Sequence, residues 1–249
     1  MIIHRFSQLT QTFHDLGPGD LFIGQVPPTY LKPAMLIDLM ARGVRLLPSA
    51  GAQMVSASKA AQALILKQWM APETRVIDRR KTLLDAVTDY ERKGIRSAVT
   101  KAERQHCGHG VRKWDQLETL YNCLSLDGHH YPFVLQPFQQ VETDLRIIAV
   151  GDYWEAYARC NPIGFRKNLA AGGESRPYTL DLSQKALCRQ IMDRAEMPFA
   201  HIDLVITSDG ATYLSEVSLS GGLRGAAISG AELTELKQAR LMALAESGS

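Results

Sequence analysis

The sequence has few of the features that mark membrane, secreted or nucleic-acid-binding proteins. Its four cysteines include no CxxC pair, so neither a zinc ribbon nor a disulfide framework is indicated, and we expect a protein of the reducing cytoplasm. No run approaches the ~18 apolar residues that span a bilayer. The 28 basic and 26 acidic residues leave a net charge of +2, which gives no electrostatic reason to expect nucleic acid or a membrane surface as the main partner.

What remains is an ordinary globular composition. Hydrophobic residues make up 45% of the chain and charged residues 22%, which excludes a disordered or coiled-coil protein. A chain of 249 residues buries enough surface to form one core, or two closely packed lobes, without disulfides. The amino terminus lacks a basic segment followed by an apolar run, so we expect no secretory signal.

Short apolar strands alternate with helices in the first part of the chain, and strands dominate the second. Predicted strands at Leu21–Val26 and Val44–Leu47 flank a helix at Ala34–Arg42, which favours a parallel βαβ unit. Ser58 is a predicted N-cap for a helix at Ala60–Met70. Further strands are predicted at Ile95–Lys101, Val134–Leu135, Leu145–Val150, Tyr153–Arg159, His201–Thr207 and Ala211–Val217, and further helices at Leu83–Tyr90, Lys185–Met197 and Glu232–Ala245.

A hairpin around Asp209-Gly210 carries the clearest chemical signal. A two-residue turn there pairs Asp203 with Glu216, and His201 with Ser218. Facing carboxylates repel each other, and Mg²⁺ binds one or two carboxylates together with phosphates. The pattern therefore predicts a magnesium site. The alternative is that a bend or a longer loop separates the two acids and leaves both in water.

Two further segments favour an anionic ligand. The glycine-rich segment 106–110 follows a strand that ends in Lys101, so backbone N–H groups and an ammonium group could both meet phosphate. A zinc site in that segment is disfavoured because its ligands are too close in sequence. The predicted loop Cys160–Leu180 is long enough to be functional, and arginines in and beside it suit carboxylate or phosphate; a solvated rim is the alternative. These cations are Arg146, Arg159, Arg166, Lys167 and Arg176.

In this order and spacing, the motifs resemble the ATP-grasp superfamily, nearest to the RimK-type glutamate ligase and glutathione synthetase branch. The resemblance covers about residues 20–227. It implies a fold of α+β and α/β character in which two α+β lobes grip a nucleotide behind a short βαβ domain. The implied boundaries are 1–52 for the amino-terminal domain, 53–135 for the small lobe and 136–249 for the large lobe with the metal site.

The resemblance also implies roles for individual residues. Those implied to bind ATP are Lys59, Lys101, Gly108, Gly110, Gln136, Phe138 and Arg146. Those implied to hold the transferred phosphate and the substrate carboxylate, as catalytic residues, are Arg159, Arg166 and Asn168. Those implied to bind Mg²⁺, with Mn²⁺ as an acceptable substitute, are Asp203, Glu216 and Ser218.

The sequence departs from the family pattern at several of these motifs. Ser218 stands where the family has an asparagine ligand, and Pro137 stands where the adenine linker has an acidic residue. Gln105 replaces the first glycine of the phosphate loop, and Gly221 replaces the proline of a Ser-Pro-Gly segment. The family usually has a small residue at the position of His201. One hypothesis is that this histidine fills the space, and takes a ligand or hydrogen-bond role, that the asparagine leaves; the alternative is that it merely packs beside Ser218.

The implied activity is that of an ATP- and Mg²⁺-dependent carboxylate–amine ligase acting through an acyl phosphate. Its substrates would be small-molecule or peptide carboxylates and amines, with no nucleic acid or membrane as partner; a homo-oligomer is left open. Ser218, Pro137 and the short amino-terminal domain favour a different class, a nucleotide-binding protein without turnover. A third alternative is a kinase that phosphorylates a small molecule on the same scaffold.

Overall fold

The computed structural model describes residues 1–29, 31–103, 105, 110–125, 131–160 and 174–247. Several predicted features lie outside these ranges. They are Gly108 and the segment 106–109 around it, and Arg166, Lys167 and Asn168 in the long loop.

The amino-terminal part is a three-stranded parallel sheet in the order β1-β2-β3, as the βαβ pattern predicts. Its second strand ends earlier than predicted, because the N–H of Val26 donates to the side chain of Gln53 at 2.9 Å and not to a strand. The elements are β1 (Ile2–Ile3), α1 (Phe6–Gln11), β2 (Leu21–Ile23), α2 (Lys32–Ala41) and β3 (Arg45–Leu47).

A helical segment connects this sheet to the rest of the chain. It consists of α3 (Ala50–Ala57) and α4 (Lys59–Ile65), and the side chain of Ser58 caps α4 as predicted by accepting from the N–H of Ala61. Helix α4 is shorter than the predicted Ala60–Met70, because Met70 is extended and forms a bridge with Leu214.

A four-stranded antiparallel sheet follows, in the order β4-β7-β5-β6. Helices α5 and α6 complete its core, in which Leu83, Leu120 and Leu135 are fully buried. The short strand β6 has no separate signal in the sequence. The elements are β4 (Arg75–Ile77), α5 (Arg80–Arg92), β5 (Ala98–Ala102), β6 (Val111–Trp114), α6 (Leu117–Leu124) and β7 (Phe133–Pro137).

The last part is a five-stranded antiparallel sheet in the order β10-β9-β8-β11-β12. Buried apolar residues on one of its faces, among them Ile147 and Leu204, belong to the largest core. No helix in the described ranges is long and apolar enough to cross a membrane. The elements are β8 (Val141–Val150), β9 (Tyr153–Cys160), β10 (Glu174–Pro177), α7 (Leu182–Arg194), β11 (Phe199–Thr207), β12 (Thr212–Ser218) and α8 (Gly230–Ser247). The three sheets and their helices confirm the predicted mixed fold.

The β11–β12 hairpin has the predicted pairs but not the predicted turn. Its loop is three residues, 208–210, closed by a 2.9 Å bond from the N–H of Thr207 to the carbonyl of Ala211. A register shift then leaves Ser215 as an extra residue in β12, a β-bulge. The bulge restores the register, so that Asp203 lies opposite Glu216 as predicted.

Candidate active site

One face of the five-stranded sheet carries a row of charged side chains. Asp144 lies opposite Arg159, Arg146 opposite Asp203, and Asp203 opposite Glu216. Because side chains alternate along a strand and directly paired residues share a face, all five lie on the same side of the sheet. We call these five residues the charged face.

Asp203 is held at the centre of the charged face by two arginines. Arg146 pairs with both of its oxygens, with 2.9 Å between Nη2 and Oδ2, and Arg159 lies 3.0 Å from Oδ2. Arg159 also pairs with Asp144. Burial alone would raise the pKa of Asp203, but the two guanidinium groups hold that pKa below its usual value. For Asp144, burial prevails over Arg159 and raises the pKa.

Two lysines reach the charged face from other elements. Lys101, on β5, places its Nζ 3.0 Å from the carbonyl oxygen of Ser215 and 3.2 Å from its Oγ. Lys59, at the start of α4, lies 2.6 Å from the carbonyl oxygen of Gln105 and 3.7 Å from Glu216 Oε1. Burial lowers the pKa of Lys101, and the Glu216 carboxylate opposes that shift.

Cations outnumber carboxylates at this place in the described chain. Two arginines and two lysines meet three carboxylates, so the group carries one net positive charge when all are ionised. Such a surplus on buried and half-buried groups favours an anion. The charged face and the two lysines therefore form a site suited to phosphate or carboxylate.

The oxygens at the end of the hairpin suit a hard divalent cation. Asp203 uses three of its roughly four lone-pair directions on the arginines, and the Glu216 side chain is 38% exposed. The hydroxyl of Ser218 donates to the carbonyl of Ser220 at 2.6 Å and keeps its own lone pairs. The described residues contain no cluster of three or more acidic, histidine or cysteine ligands. Two carboxylates nevertheless meet the needs of Mg²⁺, which takes its other ligands from phosphates and water.

Gln136 and Phe138, both predicted to bind nucleotide, lie at the end of β7 and just after it. Gln136 is buried and donates from Nε2 to Thr74 Oγ1 at 2.8 Å. The backbone N–H of Phe138 donates to the carbonyl of Ser97 at 3.0 Å, and the Phe138 ring lies 4.4 Å from the ammonium group of Lys113. The backbone bonds of this strand toward β5 are thus made at Phe138.

Pro137 lies at the intervening position of β7. Since alternate residues of an antiparallel strand direct their backbone groups to opposite edges, the carbonyl of Pro137 points away from β5. Strand β4 pairs only as far as Leu135, so the missing N–H of Pro137 costs no ladder bond. Proline is therefore compatible with this strand, and the position offers a backbone acceptor.

His201 is buried on the same face as Asp203, opposite Ser218. Its Nε2 lies 3.3 Å from the Nζ of Lys237, and its Nδ1 has no hydrogen-bond partner among the described residues. Burial, helped by Lys237 and Arg146, lowers the pKa of His201 to about 3, so the ring is neutral at physiological pH.

The space next to His201 explains a second departure from the family pattern. A Cβ at Gly221 would lie 2.8 Å from His201 Nδ1, closer than real Cβ atoms come, and 3.0 Å from Arg146 Nη1, a tight contact. The imidazole thus occupies the space that a proline ring at 221 would need. A large residue at 201 and a glycine at 221 fit together.

Ala102, Gln105 and Gly110, three of the described residues around the segment 106–109, lie close together. The carbonyl of Gly110 accepts from the N–H of Ala102 at 2.9 Å, and a Cβ at 110 would lie 2.6 Å from the Cβ of Gln105. Glycine at 110 therefore permits the close approach of Gln105, whose carbonyl in turn holds Lys59.

Arg176 does not join the charged face. It pairs with Ala158 in the β9–β10 ladder, one position out of step with Arg159, and so lies on the other side of the sheet. Its side chain is 75% exposed. Arg146 and Arg159 lie together, whereas the exposure of Arg176 favours the alternative of a solvated rim.

Sequence reasoning missed three residues that touch this site. Asp144 could have been found, because it lies two residues before Arg146 on a predicted strand and must share its face. Lys237 and Gln62 gave no signal, since a single lysine or glutamine within a helix is ordinary. Gln62 donates to the carbonyl of Val217 at 2.9 Å, between Glu216 and Ser218.

Comparisons with known proteins agree with this fold. A family model for the RimK-like ATP-grasp domain matches residues 53–236. No curated protein matches significantly. The fold is similar to that of the D-cycloserine synthetase DcsG, with a TM-score of 0.63, 16% identity, and coverage of 89% of this chain and 84% of that one.

Two further solved structures are similar in fold. D-alanyl-alanine synthetase A from Vibrio cholerae has a TM-score of 0.61 and 16% identity, with 90% of this chain and 77% of that one covered. A RiPP-associated ATP-grasp ligase from Chryseobacterium gregarium, solved with ADP and a leader and core peptide, has a TM-score of 0.60 and 15% identity, with 87% and 68% covered.

Proposed function

Because the chain belongs to the RimK-like ATP-grasp family, we propose that it is an ATP- and Mg²⁺-dependent ligase that joins a carboxylate to an amine through an acyl phosphate. The observation that carries the proposal is the meeting of Lys59 and Lys101 with the charged face. Phosphoryl transfer to a carboxylate needs little covalent help from a protein. It needs positioning and the stabilisation of negative charge, and buried cations supply both.

Lys59 and Lys101 are the proposed phosphate-binding lysines. Each is held by a backbone carbonyl, that of Gln105 or Ser215, so little freedom is lost when an anion binds. Asp203, Glu216 and the hydroxyl of Ser218 would hold Mg²⁺. When bound, the ion would neutralise phosphate oxygens.

Arg159 is proposed to hold the substrate carboxylate and the transferred phosphoryl group, and Arg146 is proposed to bind ATP beside it. Each guanidinium has five N–H donors, and the pairing of both with Asp203 fixes their planes while leaving donors free for a ligand. The same donors would stabilise the oxyanion that forms when the amine attacks. Arg166 and Asn168, outside the described residues, are proposed to contribute to the same group.

The nucleobase is proposed to lie against β7, beside Gln136 and Phe138. The carbonyl of Pro137 points away from β5 and can accept from an exocyclic amine, which adenine has. Gly108 and Gly110 are proposed to bring the loop close to the phosphates.

The remaining parts of the proposal concern organisation and partners. The proposed domains are 1–52, 53–135 and 136–249; the three separate sheets support three units, and the proposed boundaries fall within α3 and β7. The proposed substrates are a small-molecule or peptide carboxylate and an amine, in the cytoplasm. The similar structures include synthetases of small molecules and a ligase solved with a peptide.

The test is ADP release with a panel of carboxylates in the presence of hydroxylamine, which converts an acyl phosphate to a hydroxamate. We expect hydroxamate in proportion to ADP for at least one carboxylate, and its loss in Glu216→Gln. Glu235→Gln, which changes an exposed acid on α8, is the matched control and should retain activity. ADP release without hydroxamate would contradict an acyl phosphate.

A nucleotide-binding protein without turnover is the second candidate. The observation in its favour is that the Ser218 hydroxyl is already donating to Ser220, which leaves a shorter and weaker ligand than an asparagine carbonyl. In that case ATP binds but no carboxylate supports ADP release, and Ser218→Asn combined with His201→Gly increases Mg²⁺-dependent hydrolysis.

A further inference from the structure

Two side chains, buried Gln62 and half-buried Ser56, hold β12 from outside its own sheet. The side-chain amide of Gln62 on α4 is 2% exposed; it donates to the carbonyl of Val217 at 2.9 Å and accepts from the N–H of the same residue at 3.1 Å. Ser56 on α3 accepts from the N–H of Leu219 at 2.9 Å. Gln62 thus provides hydrogen-bond partners for both the N–H and the C=O of Val217, which face away from β11.

The bonds between Gln62 and Val217 take the place of a neighbouring strand at the edge of the sheet. In the described chain β12 is the last strand of its sheet, and such an edge leaves N–H and C=O groups without ladder partners. A primary amide carries one donor side and one acceptor side, so Gln62 can bind a strand residue as a neighbouring strand would. Val217 lies between Glu216 and Ser218 in sequence, so the bond fixes the backbone from which both proposed ligands project.

The same helix carries the phosphate lysine. Lys59 begins α4, three residues before Gln62, and lies 3.7 Å from Glu216. A third bond, from Gln62 Nε2 to the carbonyl of Val55 at 3.0 Å, ties the amide to α3 as well. Lys59 and the ligand strand are therefore joined through one buried side chain.

We propose that Gln62 is a positioning residue for the metal site: its amide sets β12 against α4, so that Glu216 and Ser218 meet the cation and Lys59 meets the phosphates in one arrangement. The proposal rests on the proposed function, because it assumes that the cation binds at Asp203 and Glu216. Gln62 itself contacts neither nucleotide nor metal; it acts through the backbone of Val217. Partners of this kind that orient metal ligands typically contribute ~10–100-fold to metal affinity.

The chain offers a matched control for removing a buried glutamine. Gln53 is fully buried and also makes three bonds: it accepts from the N–H of Val26 at 2.9 Å and donates to the carbonyls of Pro48 at 2.9 Å and Gly24 at 3.3 Å. These bonds lie just beyond the ends of β2 and β3, so Gln53→Leu removes the same chemistry without touching β12.

The experiment measures Mn²⁺ affinity by electron paramagnetic resonance at a saturating concentration of a non-hydrolysable ATP analogue. Hydrogen exchange of the Val217 amide is followed in parallel. We expect Gln62→Leu to bind Mn²⁺ ~10–100-fold more weakly and to exchange the Val217 amide faster. Gln53→Leu should lose a comparable amount of thermal stability while keeping wild-type Mn²⁺ affinity and Val217 protection.

Several outcomes would overturn the proposal. Equal loss of Mn²⁺ affinity in both variants would show that stability alone is responsible, and faster Val217 exchange with unchanged affinity would show that the bond does not position the ligands. If Gln62→Leu does not fold, Gln62→Glu keeps the acceptor for Val217 and should bind Mn²⁺ with intermediate affinity; unchanged affinity there also overturns it. A wild type that binds no Mn²⁺ would refute the metal assignment itself. Protection of the Val217 amide from exchange would then show separately whether the hydrogen bond from Val217 to Gln62 exists.

Discussion

The two proposed acidic ligands should differ sharply in what they contribute to stability. Asp203 is buried and pairs with Arg146 and Arg159. Asp203→Asn would leave two half-buried guanidinium groups to share Asp144, and breaking a buried pair by removing one partner costs ~3–5 kcal/mol. The Glu216 side chain is 38% exposed and lies 3.7 Å from Lys59, so Glu216→Gln should change the free energy of unfolding by about 1 kcal/mol or less.

Urea denaturation without metal or nucleotide measures this difference, and ADP release measures activity. We expect Asp203→Asn to be less stable than Glu216→Gln by about 3 kcal/mol, with similar m-values, while both lose Mg²⁺-dependent turnover. Equal destabilisation of the two variants would refute the assignment of Asp203 as the paired centre of the charged face. Full turnover in either variant would refute its role as a ligand.

Three further predictions concern neighbouring positions. Lys101→Met should weaken binding of an ATP analogue by ~1.5–3 kcal/mol in calorimetry, the size of a hydrogen bond to a charged group, and unchanged affinity would remove this lysine from the phosphate site. In the folded state the pKa of His201 is lowered to about 3, whereas in the unfolded state the ring takes up a proton near pH 6.5. The free energy of unfolding therefore falls as the pH drops below 6.5. Between pH 7 and pH 5 the wild type should lose about 2 kcal/mol more than His201→Gln, and equal losses would contradict a buried neutral ring. Gly221→Ala should lower stability by ~1–3 kcal/mol through overpacking against His201, and the cost should shrink in a His201→Gly background; an unchanged cost would place the clash elsewhere.

The hairpin shows how far sequence reasoning reached. The pairing implied by a two-residue turn at Asp209-Gly210 placed Asp203 opposite Glu216, and the structure has this pair. The turn was assigned one residue too short, and the bulge at Ser215 compensates for that error. A bulge depends on the register between two strands, and the carbonyl of the bulged Ser215 accepts from Lys101 on a distant strand. The local sequence of β12 therefore does not reveal it.

Other features depend on contacts between distant parts of the chain. The short strands β6 and β10 exist because of their partners, and four residues are too few for a periodic signal. The order of motifs predicted that Arg146 and Asp203 lie in the same site. It did not predict that the two side chains pair with each other, because that pairing follows from their burial in the folded protein. Helix α3 was missed since its small residues give weak amphipathicity.

A crystal structure with a non-hydrolysable ATP analogue and Mn²⁺ tests the proposed site most directly, because the anomalous signal of manganese locates the ion independently of the protein density. We predict an anomalous peak within coordination distance of Asp203 and Glu216, with the phosphates of the analogue between that peak and the ammonium groups of Lys59 and Lys101. A nucleotide bound elsewhere, or manganese away from both carboxylates, would contradict the proposed site.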